Sequence, residues 1–122
     1  MILLDTNILI DILKGEEETI EKVQNFTLPL AISSITAMEL YYGAFNKAEI
    51  NKLEKFIGLF HVIHINESIS SQSVKLVKNY AKSHNLDIPD SLIASCAIVN
   101  NCQLFTHNKK DFRYIEQVTL VS

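Results

Sequence analysis

"MILLDTNILID", residues 1–11, decides how the rest of the chain is read. Met1 to Leu4 is an apolar run of the kind that fills a strand buried on both faces. It stops on a carboxylate, Asp5. The pattern then changes period: in "TNILIDILK", Ile8, Asp11 and Ile12 recur at helical spacing with Leu9 and Leu13 beside them, and Gly15 marks a stop. A strand that ends in an acid and opens a helix admits two readings of Asp5. It caps the helix by accepting from free N–H groups, or it presents a metal ligand at the strand's carboxyl end. One side chain can do both.

The same alternation continues outward. "EEETIEKVQNF" predicts an exposed helix with acids in its first turn, where the helix dipole favours them. "LPLAIS" predicts a strand, with Ser33 or Ser34 as the next cap, and "ITAMELYYGAF" a helix. "AEINKLEKFIGLF" carries the helical stripe Ile50, Leu53, Phe56, Ile57 and Phe60, and "HVIHI" alternates as a strand. "ESISSQSVKLVKNYAKSH" predicts an amphipathic helix on Ile69, Val74 or Ser73, Val77 and Tyr80. "PDSLIASCAIVNN" is apolar nearly all round, hence a buried helix. "CQLFT" predicts a strand, "NKKDF" a loop or one helical turn, and "VTLV" a last strand. Strands separated by helices predict a three-layer α/β/α sandwich with a central parallel sheet, one domain over residues 1–122. In such sheets functional groups gather at the carboxyl ends of the strands.

Composition sets the bounds. The 122 residues are 48% hydrophobic and 20% charged, an ordinary globular mix able to bury a core. A net charge of −3 speaks against a general polyanion binder. Local fields, and any cation held by carboxylates, still govern whether a phosphate approaches a given cleft. Cys96 and Cys102 are six apart, form no zinc framework, and read as small buried hydrophobes in a reducing compartment. No apolar run approaches the ~20 residues of a membrane span. "MILL" has no basic flank and is too short for a signal core. The expectation is a soluble cytoplasmic protein with no membrane partner.

Four acids carry the functional argument. Glu39 falls on the stripe Ile35, Met38, Tyr42 and Phe45, and a glutamate on an apolar face demands a partner, a metal or a route to water. Asp90 follows Pro89 at the entrance of the buried helix, where Pro and Asp also serve simply as helix-start residues. Asp87, three earlier, is the better candidate for the cap. Asp111 lies past the strand "QLFT", with Asn108 nearer its end. Asp5 and the 106–111 segment both follow strands, and Glu39 and Asp90 are assigned to first turns of helices, so a parallel sheet brings all four to one edge. Two carboxylates ~5 Å apart repel by about 3 kcal/mol at an effective dielectric of 20, and three or four by on the order of 10 kcal/mol. Protonation or a divalent cation must offset that, and oxygen-only ligands favour Mg²⁺ or Mn²⁺. Asp11, further along the first helix, reads as a solvated or salt-bridged charge. His107 reads as a surface residue or a phosphate contact, and His61 and His64 lie on opposite strand faces, which rules out simple joint ligation.

"LLDTNILID", "ITAMELYYG", "IPDSLIASCA" and "LFTHNKKDF" together resemble the four signature blocks of PIN-domain ribonucleases, specifically the VapC-type toxins of toxin–antitoxin pairs. The likeness spans essentially the whole chain, in order. It implies that Asp5, Glu39 and Asp90 bind Mg²⁺ or Mn²⁺, that Thr6, Asn7 and Thr106 orient the cluster, and that Asp111 or Asn108 completes the catalytic site. Many relatives carry an acid where this chain has Asn108, so Asp111 is the only acid of the fourth block. The resemblance further implies an RNA substrate, cleavage by metal-activated water to a 5′-phosphate and a 3′-hydroxyl, a homodimer, and a cognate antitoxin that inserts near the site. Lys14, Lys109, Lys110 and Arg113 are candidate guides for phosphates. Tyr41, Tyr42 and Phe45 read as packing residues before base-stacking ones.

Rival classes fit less well. A phospho-accepting receiver domain needs paired acids after its first strand and a lysine after its last, whereas Leu4 precedes Asp5 and "VTLVS" has no lysine. A phosphatase of the HAD type needs a second Asp where Asn7 stands. No GxGxxG supports a dinucleotide fold. The remaining alternative is a PIN-like module that binds RNA or protein without catalysis.

Overall fold

The structure, a computed structural model, describes residues 1–122. The chain forms β1 (Ile2–Leu4), α1 (Thr6–Leu13), α2 (Glu17–Gln24), β2 (Leu30–Ser33), α3 (Ser34–Tyr42), α4 (Lys47–Ile57), β3 (His61–Ile63), α5 (Glu67–His84), α6 (Ile88–Val99), β4 (Gln103–Phe105), a 3₁₀ turn (Lys109–Asp111) and β5 (Thr119–Leu120). The sheet runs β3-β2-β1-β4-β5 with every pair parallel. This is the expected α/β/α arrangement, with the predicted strands 61–65 and 118–121 shortened at their ends.

The opening run explains the layering. Leu3 belongs to a core with Ile69, Leu76, Ile93 and Leu104, under α5 and α6. Ile2 and Leu4 belong to a second core with Ile8, Leu9, Leu40, Leu53 and Ile57, under α1, α3 and α4. Successive strand residues point to opposite faces, so one continuous apolar run fills both layers. Caps set most helix starts: Asp5, Ser33, Asn46, Asn66 and Asp87 each accept from a backbone N–H at the head of the helix that follows. Ser33, rather than Ser34, is therefore the cap of α3, and Asp87 is the cap of α6. Asn85, with φ 60°, ends α5 in the left-handed region, and buried Leu86 anchors the turn into α6.

The stripe of α5 runs through Ile69, Ser73 and Leu76, whereas Val74 is 65% exposed. Ser73 can be buried because its hydroxyl meets that of Ser91 in α6 at 2.6 Å. Cys96 and Cys102 are buried and unpaired, and burial pushes the Cys96 thiol up to about 12. No helix is long and apolar enough to cross a membrane.

The topology fixes where chemistry can sit. From β1 the chain builds outward through β2 to β3, then returns through α5 and α6 to lay β4 on the other side of β1. The carboxyl ends of β1 and β4 thus flank the switch point of the sheet, where a crevice opens. Asp5 follows β1 and Thr106 follows β4, and the Asp5 N–H donates to the Phe105 carbonyl at 2.9 Å.

Candidate active site

Asp5 is 5% exposed and held at both oxygens. Oδ1 accepts from the Thr6 N–H at 2.8 Å, which is the capping bond. Oδ2 accepts from the Thr106 hydroxyl at 2.7 Å. Thr106 is itself positioned: its oxygen accepts from the Asn108 N–H at 3.0 Å and from the Asn7 amide at 3.4 Å. Asn7 in turn accepts from the His107 N–H at 3.3 Å. Burial raises the Asp5 carboxyl above the usual range, the bonds from Thr106 and Thr6 oppose that, and the Asp111 charge adds to it.

Glu39 reaches the site from α3. It lies beyond the helix's first turn, and the stripe expected to bury it is open: Met38, Tyr42 and Phe45 are 56%, 94% and 92% exposed. The apolar residues of α3 surround the helix, so period alone did not select its inner face, which is Thr36 and Leu40. Glu39 is an exposed carboxylate tethered at 2.7 Å by the Thr6 hydroxyl. That hydroxyl has one proton, so it accepts from Thr36 at 2.9 Å, and Thr36 accepts from Ser33 at 3.5 Å. Ser33 and Thr36, almost fully buried, are support residues that the sequence reading missed. Their signal was the cap position of Ser33 and the hydroxyl one turn before Glu39.

Asp90 is half-buried at the head of α6 and its carboxylate has no hydrogen-bond partner, because Asp87 makes the capping bond to the Asp90 N–H at 2.8 Å. Its carboxyl is pushed up to about 7, first by burial, then by the charges of Asp87, Asp5, Asp111 and Glu39. Three of the acids named from the sequence, Asp5, Asp111 and Glu39, thus act on the fourth, Asp90, more weakly than burial and Asp87 do. Asp111 is exposed on the 3₁₀ turn, with its side chain free of hydrogen bonds. Asn108 supports the site through its backbone N–H. Asp11 is not in the cluster: it pairs with His107 at 2.7 Å, as the salt-bridged reading allows.

The donor set is carboxylate and hydroxyl oxygen only, which suits a hard divalent cation. As they stand, no three of the acids close on one point at coordinating distance. Mg²⁺ keeps several waters and uses one or two carboxylates, so an open site of this kind fits it. Burial, with neighbouring acids adding to it, pushes Asp90 to hold a proton near neutral pH, and a cation would relieve both costs.

Acids follow the strands that flank the switch point of an all-parallel α/β/α sheet, a doubly wound fold. The chain belongs to the PIN-domain family, whose model matches residues 2–117. It is 34% identical over 120 residues to ribonuclease VapC1 of Methanocaldococcus jannaschii, covering 98% of this chain and 84% of that one. A toxin–antitoxin complex from Klebsiella pneumoniae contains a chain with TM-score 0.83 and 33% identity, over 98% and 96% of the two chains. VapBC2 from Rickettsia felis, bound to a DNA fragment from its promoter, gives TM-score 0.84 and 30% identity, over 99% and 98%.

Proposed function

We propose that this protein is a divalent-metal-dependent endoribonuclease and the toxin of a toxin–antitoxin pair, acting in the cytoplasm. The observation that carries the reading is Asp5: a buried carboxylate fixed at both oxygens, at the sheet's switch point, whose charge is felt at Asp90 and which feels that of Asp111. Asp5, Glu39 and Asp90 would hold Mg²⁺ or Mn²⁺. When bound, the cation supplies the acidity that makes water a nucleophile at neutral pH and offsets charge on the leaving oxygen. Thr106 and the Thr6 N–H keep Asp5 aimed, Thr6 keeps Glu39 at the rim, and Asp111 closes the acidic edge on the β4 side.

The PIN-domain relatives named as ribonucleases support RNA as substrate, and those seen in toxin–antitoxin complexes support an antitoxin partner. The exposed Tyr42, Phe45 and Leu59 on and after α3 and α4 offer apolar surface for an antitoxin or a second copy of the chain. The test is cleavage of RNA with Mg²⁺. Asp5→Asn and Asp90→Asn should each remove it while the fold persists, and EDTA should stop the unmodified protein. Full activity in either variant, or in excess EDTA, overturns the assignment.

A further inference from the structure

A cleft of about 420 Å³ lies beside the acid cluster, between α1, α2 and the end of β4. Its volume falls within the ~300–1,000 Å³ typical of small-ligand sites. Thr106 belongs to its wall and also donates to Asp5, so the cleft begins one side chain from the proposed metal site. Inside it, His107 Nε2 donates to Asp11 Oδ2 at 2.7 Å, and the Thr19 hydroxyl donates to the same oxygen at 3.0 Å. Asp11 is thereby a two-donor anchor joining α1, the head of α2 and the segment after β4. With Nε2 engaged, the ring is fixed in orientation and tautomer, and Nδ1 has no partner within the chain. Lys109, also in the wall, has no ion pair, whereas Lys22 is tied to the Ser122 carbonyl at 2.7 Å. The polar ends of the lining that have no partner are therefore the His107 Nδ1, the Lys109 ammonium and the carboxylates of Glu16 and Glu18.

We propose that this cleft is the subsite for the nucleotide flanking the cleaved dinucleotide, with His107 as a substrate-contacting residue oriented by Asp11 and Thr19. From a scissile phosphate at Asp5, a strand of RNA that continues past Thr106 on one side enters this cleft. Lys109 meets the backbone phosphate, and the His107 ring meets the sugar or base edge. Glu16 and Glu18, also in the wall, disfavour phosphate beside them and can accept from base amino groups. The inference rests on the acid cluster cleaving RNA, and the experiment separates the two.

The test uses the full chain and short RNA oligonucleotides. His107→Gln and Asp11→Ala should raise KM about tenfold, the loss of one good hydrogen bond, with a smaller change in kcat. Binding of the same RNA to the Asp5→Asn protein should be retained, and adding His107→Gln should weaken it about tenfold. Oligonucleotides truncated to the cleaved step on its 5′ or its 3′ side give the decisive comparison. For one truncation, and only one, the unmodified and His107→Gln proteins should have equal KM. Unchanged KM in both variants overturns the subsite while leaving the nuclease reading intact, and that result is also expected if the cleft seats a protein partner instead. A penalty that persists through both truncations shows a purely structural role and overturns it too. Absence of Mg²⁺-dependent cleavage in the unmodified protein removes the parent reading instead.

Discussion

Asp5 and Asp90 occupy similar places, each at the entry of a helix that opens on the carboxyl edge of the sheet, yet they are held in opposite ways. Asp5 caps its helix, is buried, and has a donor at each oxygen. Asp90 leaves the capping to Asp87, is half-buried, and has no donor. Burial raises both carboxyls, but only at Asp5 do hydrogen bonds to the ionised form oppose it. Asp5 is a buried charge whose cost the fold offsets in part with two donors. Asp90 is a charge the fold leaves wanting a counter-ion.

The largest expected effect treats the two alike. If both bind the same cation, Asp5→Asn and Asp90→Asn each lose about a thousandfold or more in RNA cleavage, since a metal contributes several kcal/mol of transition-state stabilisation. Stability then separates them. Thr106 already accepts from Asn7 and Asn108, so its own proton must go to Asp5. An amide at residue 5 sets a donor against either Thr106 or the Thr6 N–H, at a cost of about 1–3 kcal/mol. Asp90→Asn removes a repelled charge and breaks no bond. Thermal melts without metal at neutral pH should show Tm falling in the first variant and rising in the second.

The pH dependence sharpens the same contrast. Asp90 titrates at about 7 when folded and near 3.8 when unfolded, so between these values the folded chain binds more protons. Its contribution is fully present below the unfolded value and is lost as pH rises through about 7. The metal-free protein should therefore lose Tm across that window, Asp5 adding in the same sense, and Asp90→Asn should flatten the decline. Mg²⁺ at neutral pH should restore Tm in the unmodified protein and do so weakly in either variant. A metal-free Tm that climbs steadily through this window would contradict the repulsion argument.

Which of these features could be read from the chain depends on how local their causes are. "MILLD" announced a strand on both cores and an acid at its end because burial on two faces leaves a continuous apolar run. Asp87 and Asp90 could be told apart by cap position. The inner face of α3 could not, because Ile35, Met38, Leu40 and Tyr41 surround that helix and no period selects a side. The stripe of α5 left Val74 and Ser73 as alternatives, and what decides for Ser73 is its partner Ser91 in another helix. The Asp11–His107 pair joins residues 96 apart. Each of these features depends on a polar group whose partner is distant in sequence or in another helix, which periodicity does not register.

Glu39 provides the smallest effect and the finest probe, because it stands between the two modes: exposed like a free charge, yet tethered like Asp5. Thr6→Val removes that tether and also strips the fully buried Thr36 of its acceptor. The expected result is about a tenfold loss of activity, with about 1–3 kcal/mol of stability lost through Thr36. Thr36→Val breaks the same chain one link further back, leaving the Thr6 hydroxyl free to donate to Glu39. It should cost similar stability but little activity, and Thr6→Ser, which keeps the hydroxyl, should recover both. Equal activity losses in Thr6→Val and Thr36→Val would mean that the relay matters only for packing α1 against α3. A loss confined to Thr6→Val, accompanied by a weaker Mg²⁺ response of Tm, would place Glu39 with Asp5 and Asp90 as a group that feels the cation.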